Sequence, residues 1–81
     1  MKIASTPETY KYKIELVTVS DIVEFVKIAT AEQCDIKLVD DSGFCVNGKS
    51  LIGAMATVEW SSLHCVSDED IYTKIKKFCV A

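Results

Sequence analysis

Ten residues in the middle of the chain do most to limit its fold: Cys45-Val46-Asn47-Gly48-Lys49-Ser50-Leu51-Ile52-Gly53-Ala54, closed by Met55. A strand-like start runs into Gly48, and Ser50 then stands just before a short apolar run. Serine is a favoured helix N-cap because its hydroxyl accepts a hydrogen bond from an otherwise unpaired amide of the first turn. The stretch therefore predicts a strand, a glycine break, a Ser50 cap and a short helix. Leu51, Ile52 and Met55 fall on neighbouring faces of that helix. By pattern alone these three cover the core. The other reading is that aliphatic side chains behind a helix start form a docking surface.

Around this stretch the periodicity alternates between the two kinds of element. From Tyr10 to Leu16, Tyr10, Tyr12, Ile14 and Leu16 share one parity, with Lys11, Lys13 and Glu15 on the other. That is a half-buried strand, which Val17-Thr18-Val19 can extend. Ser20-Asp21 offers a cap, and Ile22, Phe25, Val26 and Ala29 recur at i, i+3, i+4 and i+7, predicting an amphipathic helix to about Gln33. Glu24 and Lys27 are spaced for an ion pair along it. Asp35 to Asp40 alternates again, with Ile36 and Leu38 inward and Lys37 outward. Asp40-Asp41-Ser42-Gly43 is a turn by composition and leads into a returning strand from Phe44 to Asn47.

After the short helix, Thr57 to Ser61 reads as a connection anchored by Trp60. Leu63 and Cys65 then face inward on a further strand, with Ser62, His64 and Val66 facing the other way. For the last helix, Ser67 and Asp70 have the capping-box spacing, with Asp68, Glu69 and Asp70 in the first turn. Lys74, Lys76 and Lys77 follow in the later turns, so both charge signs match the helix dipole. Ile71, Ile75, Phe78 and Cys79 form its buried stripe. The order is β-α-β-β-α-β-α, and four half-buried strands with three helices predict a two-layer α+β sandwich, helices on one face and the other face open to water.

With 81 residues the chain is expected to form a single domain, residues 1–9 being a loose lead-in. A 49% hydrophobic and 26% charged composition suits a compact fold. Net charge is −3, and the nine basic residues are dispersed, so no basic stripe is available to hold nucleic acid. No signal-like or membrane-length apolar run occurs, and a cytoplasmic protein is expected. Cys34, Cys45, Cys65 and Cys79 contain no C-x-x-C pair, so reduced thiols are expected and no metal or other cofactor. The lone histidine, His64, has no partner ligand or carboxylate nearby in sequence and reads as structural or solvated.

The run from Val46 to Met55 resembles the V-N-x-K-S-[IL]-[ML]-G-[VLA]-M segment of HPr, the histidine-containing phosphocarrier of the bacterial sugar phosphotransferase system. The similarity extends to Phe25-Val26-Lys27-Ile28-Ala29 and Cys34-Asp35-Ile36-Lys37-Leu38 and covers roughly residues 10 to 80. The resemblance implies the family's open-faced β-sandwich, a four-stranded antiparallel sheet with three helices on one face. It also exposes a departure. HPr proteins carry the phosphoryl group on a histidine in a G-[IL]-H-A-R-P-A loop, where this chain has Leu16-Val17-Thr18-Val19-Ser20-Asp21-Ile22, shorter and without His, Arg, Pro or Gly. A phosphohistidine needs an imidazole nucleophile and positive charge around it, and Asp21 puts negative charge there instead.

What survives is the second functional position of the family, a serine phosphorylated by an ATP-dependent kinase at the start of the short helix. Ser50 matches it, with Asn47 and Lys49 before it. By the same resemblance Leu51, Ile52 and Met55 are the partner-docking patch. The implied function is regulatory protein binding through the Ser50 helix, without enzymatic or phosphocarrier activity. The implied partners are an HPr-type serine kinase or a transcriptional regulator. The alternatives are a phosphoryl carrier with His64 as nucleophile and a structural adaptor.

Overall fold

A computed structural model of the chain describes residues 9–80. The expected lead-in lies, except for Thr9, outside the described residues. Four strands, β1 (Tyr10–Lys13), β2 (Ile36–Val39), β3 (Cys45–Asn47) and β4 (His64–Ser67), form one antiparallel sheet in the order β1-β4-β2-β3. Three helices join them: α1 (Val19–Ala31), α2 (Leu51–Ala56) and α3 (Tyr72–Ile75). Short 3-10 turns, Thr57–Glu59 and Lys76–Phe78, follow α2 and α3.

Strand parity decides which face is buried, because a one-residue slip would turn every side chain over. The register aligns Tyr12 with Cys65, Cys65 with Leu38 and Leu38 with Val46 across the inner face. Cys65 and Leu38 are fully buried there. Ile22, Phe25, Val26 and Ala29 of α1 join the same cluster, as do Ile71, Ile75 and Phe78 near the C-terminus and Ala54 of α2. Phe25 meets Phe78 edge to face at 5.8 Å. Each such large side chain contributes roughly 1.5–3 kcal/mol through burial. On the other face Lys11, Lys13 and Lys37 are exposed, as their parity predicts.

Three local expectations are corrected. The cap of α1 is Thr18, not Ser20: Asp21 N–H donates to Thr18 Oγ1 at 3.0 Å, and the Asp21 carboxylate accepts from Thr18 N–H in return. Val17 and Thr18 are thereby drawn into the helix entry, and β1 pairs as a ladder only to Lys13. Beyond it, Ile14 is bridged to Cys79, and Val80 N–H donates to Lys13 O at 2.9 Å, so Cys79 and Val80 cover the edge of the chain just after β1. Glu24 pairs with Lys77 across the helix layer rather than with Lys27. Those partners lie far apart in sequence, which the i, i+3 spacing cannot register.

The last helix differs most. Ser67 is not its cap, because Ser67 sits inside the sheet between Tyr10 and Ile36 and its hydroxyl donates to the Glu69 carbonyl. Asp68 to Asp70 form a bend, and the helix begins at Tyr72. The N-cap is Ile71, and Asp70 before it serves the first turn, accepting from Tyr72 N–H at 3.0 Å and from the Tyr12 hydroxyl at 2.8 Å. The Tyr12 oxygen accepts in turn from Ile71 N–H at 3.2 Å. Burial, then the bond to Asp70, pushes the Tyr12 hydroxyl up to about 12. The same carboxyl is held below its ordinary value by the Tyr72 amide and then by Tyr12. Lys74 is bound to Glu32 at 2.7 Å and so reaches across to the end of α1. The predicted stripe of Ile71, Ile75 and Phe78 is buried, with Cys79 half-buried beside it.

A depressed carboxyl stabilises the fold above the unfolded-state value near 4 and ceases to do so as pH falls through the folded value. Acid unfolding followed by circular dichroism is expected to lose an Asp70-dependent part of stability below about pH 4 that Asp70→Asn lacks. Tyr12→Phe strands the Ile71 amide and is expected to cost about 1 kcal/mol in urea denaturation at neutral pH.

Candidate functional site

The turn from β3 into α2 is built by backbone geometry before any functional group is considered. Gly48 N–H donates to Ile36 O at 2.8 Å, and a Cβ at Gly48 would lie 2.7 Å from Ile36 Cγ2. Only glycine lets the backbone pass that close. Asn47 then shapes the next step, its Oδ1 accepting from Lys49 N–H at 2.9 Å and its carbonyl from Ser50 N–H at 3.1 Å. Ser50 is extended and caps α2, its Oγ accepting from Gly53 N–H at 3.1 Å. The Lys49 ammonium is turned back to the carbonyl of Glu32, the C-cap of α1, at 2.8 Å. Asn47, Lys49 and Ser50 are therefore engaged in forming the entry to the helix.

The residues that follow are not. Ala54 is the one buried residue of α2, while Leu51, Ile52 and Met55 are 43%, 85% and 44% exposed. The reading that these three cover the core is corrected. A six-residue helix pinned at its start by Gly48 and Ser50 presents one narrow side to the core, and Ala54 occupies it. Thr57 closes the helix by donating to Ala54 O at 2.7 Å.

Sequence reasoning missed further apolar surface beside this helix. Val58, three residues beyond Met55, is 60% exposed, and Val17 is 76% exposed. With Leu16 and Trp60 they line a groove of about 270 Å³ between the entry to α1 and the turn after α2. Val17 has the outward parity of Lys11, Lys13 and Glu15, and the Thr18–Asp21 capping box holds its amide at the entry to α1. At the start of α1, Asp21 Oδ2 accepts from Val17 N–H at 3.0 Å and Thr18 N–H at 3.2 Å, so the chain's own carboxylate occupies those amides. His64 lies elsewhere, in β4, beside Lys13 and Val39 in the ladder and not at a helix start.

The four thiols are spread over the fold. Cys34 and Cys65 are buried, Cys79 is half-buried and Cys45 is exposed, all unpaired. Burial pushes Cys65 up to about 12 and raises Cys34 and Cys79. Among the described residues no three His, Cys, Asp or Glu side chains gather as a metal site, and no helix is long and apolar enough to cross a membrane. No protein-family model, curated protein or solved structure matches the chain.

Ser50→Ala removes the acceptor for Gly53 N–H and is expected to lower unfolding free energy by about 1 kcal/mol, most of which Ser50→Asp restores. Gly48→Ala forces a methyl into Ile36 and is expected to cost more, roughly 1–3 kcal/mol. Chemical denaturation of the four proteins checks the order.

Proposed function

We propose that this chain is an HPr-like, non-enzymatic regulatory protein that docks protein partners through α2, with Ser50 as the residue whose modification controls docking. The observation that carries the reading is the outward set of Leu51, Ile52 and Met55 directly behind the Ser50 cap. Isolated exposed aliphatics are ordinary, but three on one six-residue helix, with Val58 exposed just after it, are a concentration of apolar surface of the kind partners cover. The sequence resemblance adds the specific chemistry: a serine at this position accepts phosphate from a dedicated kinase. The element order β-α-β-β-α-β-α agrees with what the resemblance implies. A cytoplasmic location and a serine kinase or transcriptional regulator as partner belong to the same reading.

Phosphorylation would move the γ-phosphoryl group of ATP to Ser50 Oγ, with ADP leaving and the hydroxyl proton released. The new group carries about −1.5 to −2 charge and borders the aliphatic face, which changes what the face can bind. The carrier reading with His64 is less well supported. Its imidazole lies within a strand, while a carrier imidazole needs an open approach and amides or cations around the phosphate.

Incubation with an HPr-type serine kinase and ATP is expected to give one phosphoryl group at Ser50, none in Ser50→Ala, and markedly slower transfer in Ile52→Glu and Met55→Glu. Phosphoenolpyruvate with the general phosphotransferase enzyme is expected to leave the protein unlabelled. No transfer to Ser50, or transfer indifferent to both glutamates, contradicts docking through α2. An acid-labile phosphoryl group on His64 would instead establish the carrier.

A further inference from the structure

Among the described residues a single buried side-chain nitrogen or oxygen lacks a hydrogen-bond partner: Nδ1 of His64. Native interiors contain few such atoms, and each calls for a physical explanation. His64 is on the open face of the sheet, yet only 18% of its side chain is exposed. Asp41 Oδ1 lies 3.9 Å from Nδ1, too far for a hydrogen bond. The Asp41 side chain is 75% exposed.

Asp41 belongs to the turn between β2 and β3, where Asp40 Oδ1 already accepts from Ser42 and Phe44 N–H at 2.9 Å each. The turn is joined to the approach to β4 by one long hydrogen bond, Asp41 N–H to Ser62 Oγ at 3.3 Å, and by Phe44 stacked on Trp60 at 6.4 Å. The polar side of this corner is thus held by a single long bond, with His64 and Asp41 close but not bonded. We propose that His64 and Asp41 form a proton-operated clasp that ties the β2–β3 turn to β4 when the imidazole is protonated. Protonation places N–H on both ring nitrogens and adds a positive charge, so Nδ1 becomes a donor facing a carboxylate. A small rotation of Asp41 then closes the gap.

Other charged groups set the balance but do not switch it. Lys13 lies directly across from His64 on β1, with Lys11 and Lys37 on the diagonals and Cys45 beyond Val39 on β3. The lysines oppose a positive charge on the imidazole, and the carboxylates of Asp40 and Asp41 favour one. Histidine is the side-chain type whose charge changes between about pH 5 and 8. A contact that gains a full charge pair when His64 is protonated strengthens as pH falls through the imidazole range and weakens as pH rises through it.

Amide–water exchange by NMR, corrected for intrinsic rates, reads the clasp at Asp41, Ser42 and Gly43. From pH 7.5 to 5.5, protection of these amides is expected to rise by about 1.5- to 5-fold in the wild type, the range of partly exposed ion pairs. The rise is expected to vanish in Asp41→Asn and in His64→Gln. Asp41→Asn alters an exposed turn and keeps the core, so it serves even where His64→Gln folds poorly. Equal protection at both pH values in the wild type, or a rise that survives in Asp41→Asn, overturns the proposal.

Discussion

Ile36 makes the contact on which the remaining arrangement depends. Its side chain is buried against the backbone of Gly48, its carbonyl accepts from Gly48 N–H, and its register partner on the other side is Ser67. One residue thereby couples β2 to β4 and fixes where the chain leaves β3 to enter α2. The inner sheet face is then occupied by the stripes of α1 and the C-terminal segment, which share the Phe25–Phe78 contact. Little inner surface is left for α2, and a single alanine fills it. The exposure of Leu51, Ile52 and Met55 is a consequence of that crowding together with the fixed entry at Gly48.

The same constraint explains why the start of α2 is rigid while its aliphatic side is open. Asn47, Lys49 and Ser50 each spend their polar groups on the local backbone or on the end of α1. Exposed apolar surface next to a well-ordered cap suits recognition, because little conformational freedom has to be lost on binding. At α1 the chain has gone the other way. The Thr18–Asp21 capping box uses a carboxylate to satisfy the first amides, leaving that helix start complete in itself.

Much of this was legible in the residues, and what was not has a common cause. Period-2 and period-3.6 patterns placed the strands and the buried stripe of α1, since Ile22, Phe25, Val26 and Ala29 depend only on local spacing. Ser50 as the cap of α2 was equally local. The misreadings arose where long-range contacts override a good local motif. Ser67 has the right spacing for a capping box, but two neighbouring strands hold it in the sheet, and Asp70 serves the first turn of α3 while bound to Tyr12, 58 positions away. Glu24 finds Lys77 for the same reason. The outward direction of Leu51, Ile52 and Met55 was illegible because a six-residue helix carries too few apolar positions for its period to tell inside from outside.

The proposed docking surface stands or falls on that direction. A soluble nitroxide in the NMR sample broadens side-chain signals according to their access to solvent, and the methyl groups of α2 report it directly. Ile52 is predicted to broaden most, Leu51 and Met55 strongly, and Ala54 as little as the core residue Leu38. Leu51 and Met55 methyls shielded to the level of Leu38 would mean that α2 packs its aliphatic side inward, and the docking surface proposed here would not exist.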